Sequence, residues 1–201
     1  MKWTNEGSEV VAETPYVKIT KDLISNDNGG PFDYWVMHRP DAVMIIPVRV
    51  DLSEPTYVFV NQNRYPAQLL SLEFPAGMRE PGESLHDAAV RELKQETGLL
   101  AEHLKLLYVS FANPGRSTSK LSVYLAVVTG APNSDNIEEF ERAAELVTVQ
   151  LTTSQLHQKV LDNTIVDQST LAALAVMIMQ NPKASEYLGV SPGAPNKENN
   201  A

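Results

Sequence analysis

Apolar and polar residues alternate in the segment YVKITKDLI at residues 16–24, and this alternation predicts a β-strand. Residues 16–24 and 32–38 are β-rich and flank the turn sequence SNDNGGP, so they predict a β-hairpin. Residues 42–50 are apolar without interruption, as in a strand that is covered on both faces. Further predicted strands lie at residues 56–61, 104–111, 121–128 and 146–151, and residues 69–74 lead into Pro75-Ala76-Gly77.

Helical spacing is clearest between Ser84 and Gly98, where the apolar residues Leu85, Ala89 and Leu93 recur every four positions. Ser84 is a favourable N-cap, and Gly98 can adopt the left-handed conformation that ends many helices. This pattern predicts a helix with one core-facing side. Further helices are predicted at residues 153–161 and 168–180, a loop or short helix at 130–145, and loose or disordered chain at 1–14 and 182–201.

Composition limits the classes of protein to which the chain can belong. Its 201 residues, 43% of them hydrophobic, are enough for one compact domain with a small appendage. A net charge of −9 argues against a nucleic-acid-binding surface. There is no cysteine, no apolar leader and no apolar segment of membrane length, so we expect a cytoplasmic protein without disulfides or thiolate zinc sites.

The predicted N-terminal hairpin needs a covering surface, because an isolated two-stranded hairpin is at best marginally stable in water. That surface belongs either to the rest of the chain or to a second subunit. Tyr34 and Trp35 lie in the second strand of the hairpin. They either pack against the covering surface or stack on a base, and the residues alone leave both interpretations open.

Acidic residues on the helix after Ser84 indicate a candidate metal site. Glu92 and Glu96 are four residues apart, with Gln95 beside them, and two like charges at that spacing destabilise a helix by roughly 0.2–0.5 kcal/mol. A cation between them reverses that sign, and hard oxygen ligands suit Mg²⁺ or Mn²⁺. The alternative is a solvated acidic face with an ordinary Asp87–Arg91 pair.

The spacing of the whole segment from Gly77 to Leu99 favours the metal site. Gly77, Glu83 and the sequence Arg91-Glu92-Leu93-x-Gln95-Glu96-x-Gly98-Leu99 resemble the Nudix box, G-x5-E-x7-R-E-U-x-E-E-x-G-U, in which U is aliphatic. Each defined position matches except Gln95, where the family usually has Glu.

Segments outside the box resemble the ADP-ribose pyrophosphatase branch of that family. They are EFPAG at residues 73–77, VNQNRYP at 60–66, NPGRS at 113–117 and the helix sequence beginning at Asp167. The resemblance implies an α/β/α sandwich around a mixed sheet at residues 41–181. It also implies that residues 1–40 form a hairpin region that is exchanged between the subunits of a homodimer.

The resemblance further implies metal-dependent hydrolysis of a nucleoside diphosphate linked to a sugar-like group, with ADP-ribose giving AMP and ribose 5-phosphate. The implied ligands for Mg²⁺, or Mn²⁺ in its place, are Ala76, Glu83, Glu92, Gln95 and Glu96. The implied catalytic residues are Glu92, Glu96, Arg91 and the base Glu145, with Glu141 in reserve. The implied substrate-binding residues are Arg64, Arg39 of the partner subunit, Tyr16, Tyr34, Trp35, Glu73 and Pro114.

Three positions depart from the branch pattern. They are Gln95, the pair Ser119 and Lys120 where many relatives have an acid, and the poorly matching segment 132–145 that should hold the base. The alternatives are a hydrolase of other NDP-sugars or dinucleotides, and a ligand-binding Nudix module with weak catalysis.

Overall fold

The computed structural model describes residues 2–133, 137 and 139–180. Within them the chain forms ten strands and four helices, and no helix is long and apolar enough to cross a membrane. The strands are β1 (Thr4–Glu13), β2 (Lys18–Asn26), β3 (Gly29–His38), β4 (Ala42–Arg49), β5 (Thr56–Arg64), β6 (Leu69–Glu73), β7 (Ala76–Met78), β8 (Ala101–Phe111), β9 (Lys120–Val128) and β10 (Val147–Thr152). The helices are α1 (Leu85–Thr97), α2 (Glu139–Ala143), α3 (Thr153–Leu161) and α4 (Gln168–Gln180). The tail expected at residues 182–201 lies outside the described residues.

The N-terminal region is a three-stranded antiparallel sheet in the order β1-β2-β3. The hairpin predicted for β2 and β3 is confirmed, with Asp22 opposite Tyr34 and Lys21 opposite Trp35. The prediction of loose chain at residues 1–14 is wrong, because β1 pairs with β2 along its length. Every residue of β1 is exposed, so it has no buried face that a period-two hydrophobic pattern would reveal.

The larger sheet runs in the order β10-β5-β4-β9-β8, with β6 paired to β5 and β7 paired to β4. Strands β4 and β9 are parallel, and the other described pairs are antiparallel, so the sheet is mixed. On one face Val43 and Ile45 pack with Leu93 of α1. On the other face Ile46 packs in a cluster that includes Leu174 of α4. The α/β/α sandwich and the strand covered on both faces are therefore confirmed.

Helix α1 begins and ends where the sequence predicts. The Ser84 hydroxyl accepts a hydrogen bond from the Asp87 N–H at 3.1 Å, and the Gly98 N–H donates to the Lys94 carbonyl. Gly98 has φ of +70°, which a residue with a Cβ adopts only at a cost. Ala89 and Leu93 on the predicted core face are fully buried. These local signals fix the helix that carries the candidate metal site.

Strand β3 joins the N-terminal sheet to the larger domain. The Met37 N–H donates to the Arg116 carbonyl at 2.7 Å, and the Thr118 N–H donates to the Met37 carbonyl at 3.1 Å. The Tyr34 hydroxyl donates to the Gly115 carbonyl at 2.6 Å. The sheet nevertheless leaves large apolar side chains exposed in one chain, namely Trp3, Val10, Val11, Tyr16, Leu23, Phe32, Tyr34, Trp35 and Met37.

Candidate active site

Helix α1 packs on β4 and β7 and buries two carboxylates. Glu92 and Glu96 are only 6% and 3% exposed. The alternative of a solvated acidic face with an Asp87–Arg91 pair is therefore wrong. Asp87 instead accepts a hydrogen bond from the Ser84 hydroxyl at 2.7 Å, and Arg91 binds other partners. Burying two carboxylates on one helix is costly unless positive charge meets them.

Strand β7 is shaped to receive these carboxylates. The Ala76 N–H donates to Glu96 Oε2 at 3.0 Å. A Cβ on Gly77 would overlap the carboxylate of Glu92, so the space beside the strand is filled by that carboxylate. The glycine of the box is thus needed here for room rather than for an unusual backbone angle. This arrangement brings Ala76, Glu92 and Glu96 together.

Arg91 organises the acidic residues around it. Its guanidinium donates to both oxygens of Glu83, at 2.9 and 3.0 Å, and to Glu92 Oε1 at 2.8 Å. It also donates to Gln95 Oε1 at 2.8 Å and to the Met78 carbonyl at 2.9 Å. The hydrogen bonds from Arg91 lower the pKa of Glu83, and the same bonds raise the pKa of Arg91. Glu83 and Gln95 therefore face Arg91.

Arg64 and Glu73 form a second ion pair, across neighbouring strands β5 and β6. Arg64 donates to the two oxygens of Glu73 at 2.9 and 2.5 Å, and the Glu73 side chain is only 7% exposed. The Glu73 hydrogen bond raises the pKa of Arg64, and the charges of Glu96 and Asp167 raise it further. The guanidinium thus lies within electrostatic reach of the acidic helix.

The charges of this region fit a bound dication. Among the described residues, no three His, Asp or Glu side chains already form a metal-binding group. Four carboxylates of low exposure lie close together here and pair with two guanidinium groups, and a dication bound among them would offset part of their negative charge. The carboxylates are those of Glu73, Glu83, Glu92 and Glu96, and the guanidinium groups are those of Arg64 and Arg91. Mg²⁺ usually keeps waters and takes few protein ligands, so the two buried carboxylates and a nearby carbonyl suit it.

Glu145 has a backbone conformation that is unusual for its residue type. Its φ is +55°, in the left-handed region, and it lies in the turn closed by its own N–H and the Arg142 carbonyl at 3.1 Å. The preceding carbonyl, of Ala144, accepts a hydrogen bond from the N–H of Asn63, next to Arg64. The side chain of Glu141 lies outside the described residues. Strained residues of this kind are often functional.

The predicted substrate-binding residues fall into separate groups. Tyr34 contacts the loop that contains Pro114 through its bond to Gly115, as described above. Arg39 lies beside β7 of its own chain, with Nη2 at 3.7 Å from the Met78 sulfur. Tyr16 and Trp35 are 68% and 47% exposed, and no hydrogen bond of the described residues joins either side chain to α1.

Asp41 links the start of β4 to the segments that contain Arg79 and Lys120, and no pattern in the sequence predicts this role. Its carboxylate accepts the Lys120 N–H at 2.8 Å, and its carbonyl accepts the Arg79 N–H at 2.9 Å. The Ser119 hydroxyl donates to the Pro40 carbonyl at 2.7 Å. Ser119 and Lys120, which depart from the branch pattern, thus fasten the loop after Pro114 to the start of β4. In each of the bonds made by Ser119 and Lys120 the two partners are 79 residues apart, so a pattern of neighbouring residues could not predict them.

Comparison with known proteins agrees with this geometry. The family model described as the NUDIX domain matches residues 38–165. The methanol dehydrogenase activator of Bacillus methanolicus is 29% identical over 82% of this chain and 86% of its own length. The ADP-sugar pyrophosphatase of Mus musculus is 32% identical over 61% of this chain, which spans only 60% of that relative.

Among solved structures, an ADP compounds hydrolase superimposes with a TM-score of 0.73 over 95% of this chain and 98% of its own. Its sequence identity is 24%, so that likeness concerns the fold. The family model, in contrast, spans the sheet, the box and helix α1. The chain therefore belongs to the Nudix family and is a Nudix hydrolase.

Proposed function

We propose that the enzyme hydrolyses the diphosphate of an ADP-linked sugar, with ADP-ribose as substrate and AMP and ribose 5-phosphate as products. The observation that carries the proposal is the pair of buried carboxylates, Glu92 and Glu96, beside β7. The carboxylate of Glu92 fills the space that a Cβ on Gly77 would need. The murine relative, an ADP-sugar pyrophosphatase, supports the substrate class.

In this proposal Glu92, Glu96 and the carbonyl of Ala76 hold Mg²⁺, for which Mn²⁺ can substitute. The bound ion would neutralise the diphosphate and lower the pKa of a water molecule. Arg91 fixes Glu92 in place by its 2.8 Å hydrogen bond. Glu83 and Gln95, which we also assign to the metal environment, hold Arg91 in turn.

The remaining assignments concern the substrate and the proton. The water oxygen forms a bond to phosphorus, the bridging P–O bond breaks, and the water proton passes to the Glu145 carboxylate. Arg64 presents its guanidinium to a phosphate while Glu73 orients it. We assign the adenine and its ribose to the surface between β3 and the loop of Pro114, with Tyr16, Tyr34, Trp35 and Arg39.

AMP release tests this function directly. Purified enzyme is incubated with ADP-ribose, ADP-glucose, a dinucleotide and an NTP, each with Mg²⁺ and with EDTA. We expect AMP from ADP-ribose with Mg²⁺ and none with EDTA. Preferential turnover of the NTP, or turnover that persists in EDTA, would contradict the proposal.

A second candidate function is suggested by the Bacillus methanolicus relative, whose name describes activation of another enzyme. In that case the fold would bind a nucleotide ligand and act on a partner with little turnover of its own. Tight binding of one compound of the panel without any AMP release would favour this function over hydrolysis.

The enzyme is expected to be a homodimer in which the N-terminal sheet is covered by the other subunit. One chain leaves Phe32 and Trp35 of β3 about half exposed, at 52% and 47%. Light scattering should give about twice the 22.2 kDa of one chain at micromolar concentration. Trp35→Glu should shift this mass towards the monomer, whereas Leu161→Glu, at an exposed position on α3, should not. A wild-type monomer under these conditions would contradict the assembly.

A further inference from the structure

A cavity of about 370 Å³ lies between β6 and the start of α4, with Arg64 and Asp167 among its lining residues. This volume is in the range of small-molecule sites. The polar residues that line it are Arg64, Ser71, Glu73, Asp167 and Gln168, and the apolar ones are Pro66, Ala67, Leu69 and Val166. None of the assignments above uses the cavity as such.

Polar groups in the cavity have hydrogen-bonding capacity to spare. Asp167 uses Oδ2 to accept the Thr170 N–H at 2.7 Å, and its other oxygen accepts no hydrogen bond from the described residues. Ser71, which is only 3% exposed, lines the same cavity. A half-used carboxylate and a hydroxyl in one cavity suit a ligand that both donates and accepts hydrogen bonds.

The charges of the cavity exclude a second phosphate as its occupant. Arg64 is assigned to one phosphate, the lining residues include no other cation for a second one, and the Asp167 carboxylate would repel it. Exposed apolar side chains, Leu69 at 37% and Val166 at 51%, offer contact for C–H groups. A neutral ring with several hydroxyls satisfies both the polar and the apolar part of this surface.

The cavity is also placed for the reaction. Arg64 lines the cavity together with Asp167, and its guanidinium is also within electrostatic reach of Glu96 on α1. A phosphate bound at Arg64 would therefore lie at the edge of the cavity and within electrostatic reach of the acidic helix. Resting on the proposed function, we propose that this cavity binds the sugar ring attached to the distal phosphate, with Ser71, Asp167 and Gln168 meeting its hydroxyls.

Filling the cavity tests this assignment. Val166→Trp occupies it from an exposed position, and Val50→Trp is the matched control, since Val50 is 54% exposed and lies outside the cavity. Each variant is assayed with ADP-ribose and with the β-methyl ester of ADP, in which a methyl group replaces the sugar. We expect Val166→Trp to raise KM for ADP-ribose by about tenfold or more and to leave KM for the methyl ester unchanged. Val50→Trp should change neither value.

Equal effects of Val166→Trp on the two substrates, or no effect on either, would overturn the sugar assignment. If the wild type hydrolyses neither substrate, the proposed function is refuted instead. In that case the binding of ribose 5-phosphate, followed by NMR, still tests the cavity. Binding of ribose 5-phosphate should be seen with the wild type and with Val50→Trp, and should be lost with Val166→Trp. If the wild type does not bind ribose 5-phosphate, or if Val166→Trp still binds it, the inference is overturned.

Discussion

Glu92→Gln is expected to lower kcat by at least about 10²-fold, because it removes one of two buried carboxylates that the proposal assigns to the metal. The amide keeps the size of the side chain and an oxygen for the hydrogen bond from Arg91 Nη1. The fold should therefore survive the change. Steady-state kinetics on ADP-ribose at saturating Mg²⁺ measure the loss.

A second measurement separates metal binding from chemistry. Because ligands that bind only the folded state stabilise it, Mg²⁺ should raise the Tm of the wild type, and Glu92→Gln should weaken that increase. Gln95→Ala is the matched control, since Gln95 also accepts a hydrogen bond from Arg91 at 2.8 Å but is neutral. It should be much milder in both assays. Wild-type kcat in Glu92→Gln would refute the metal assignment, and an equal loss in Gln95→Ala would give Gln95 a role beyond holding Arg91.

The features that sequence reasoning predicted well are those with local signals. Ser84 and Gly98 mark the ends of α1 within a span of fifteen residues, and each acts through its own backbone neighbourhood. The apolar segment that forms β4 likewise has both faces buried, so its continuous apolar sequence predicts the strand without knowledge of its partner strands. Such features depend on properties of adjacent residues.

The features that sequence reasoning missed have two different causes. The burial of Glu92 follows from β7 lying against α1 and from the missing Cβ of Gly77, and neither is visible in the charge pattern of the helix. Strand β1 pairs with the next strand in the chain, β2, but its own residues are all exposed, so no buried face marks it in the sequence.

The departure at Gln95 has a structural explanation. Arg91 already binds the carboxylates of Glu83 and Glu92, and the amide oxygen of Gln95 takes a further N–H from the same guanidinium. A neutral acceptor satisfies that N–H without adding a third negative charge near Glu92 and Glu96. The box thus keeps its arginine network, and the proposed metal site retains the two carboxylates Glu92 and Glu96.

Glu145→Gln is expected to lower kcat by roughly 10²- to 10⁴-fold, because the proposal makes this carboxylate the acceptor of the water proton. KM for ADP-ribose and the Mg²⁺-dependent rise in Tm should stay close to wild type, since the side chain is assigned neither to the metal nor to substrate binding. This separates it from Glu92→Gln, which should weaken the metal effect. Glu145 is exposed, so the amide should not disturb the fold.

The left-handed backbone of Glu145 makes a second variant informative. A residue with a Cβ pays about 1–2 kcal/mol for φ near +55°, whereas glycine adopts it freely but loses more chain entropy on folding. Glu145→Gly should therefore lose activity like Glu145→Gln while raising the free energy of unfolding by up to about 1 kcal/mol in urea denaturation. We expect both variants to be inactive, with Glu145→Gly more stable than the wild type and Glu145→Gln equally stable. That result would mean that the strained backbone at position 145 is retained because the carboxylate is needed there. Wild-type kcat in Glu145→Gln would instead move the base elsewhere in residues 132–145, with Glu141 as the next residue to replace.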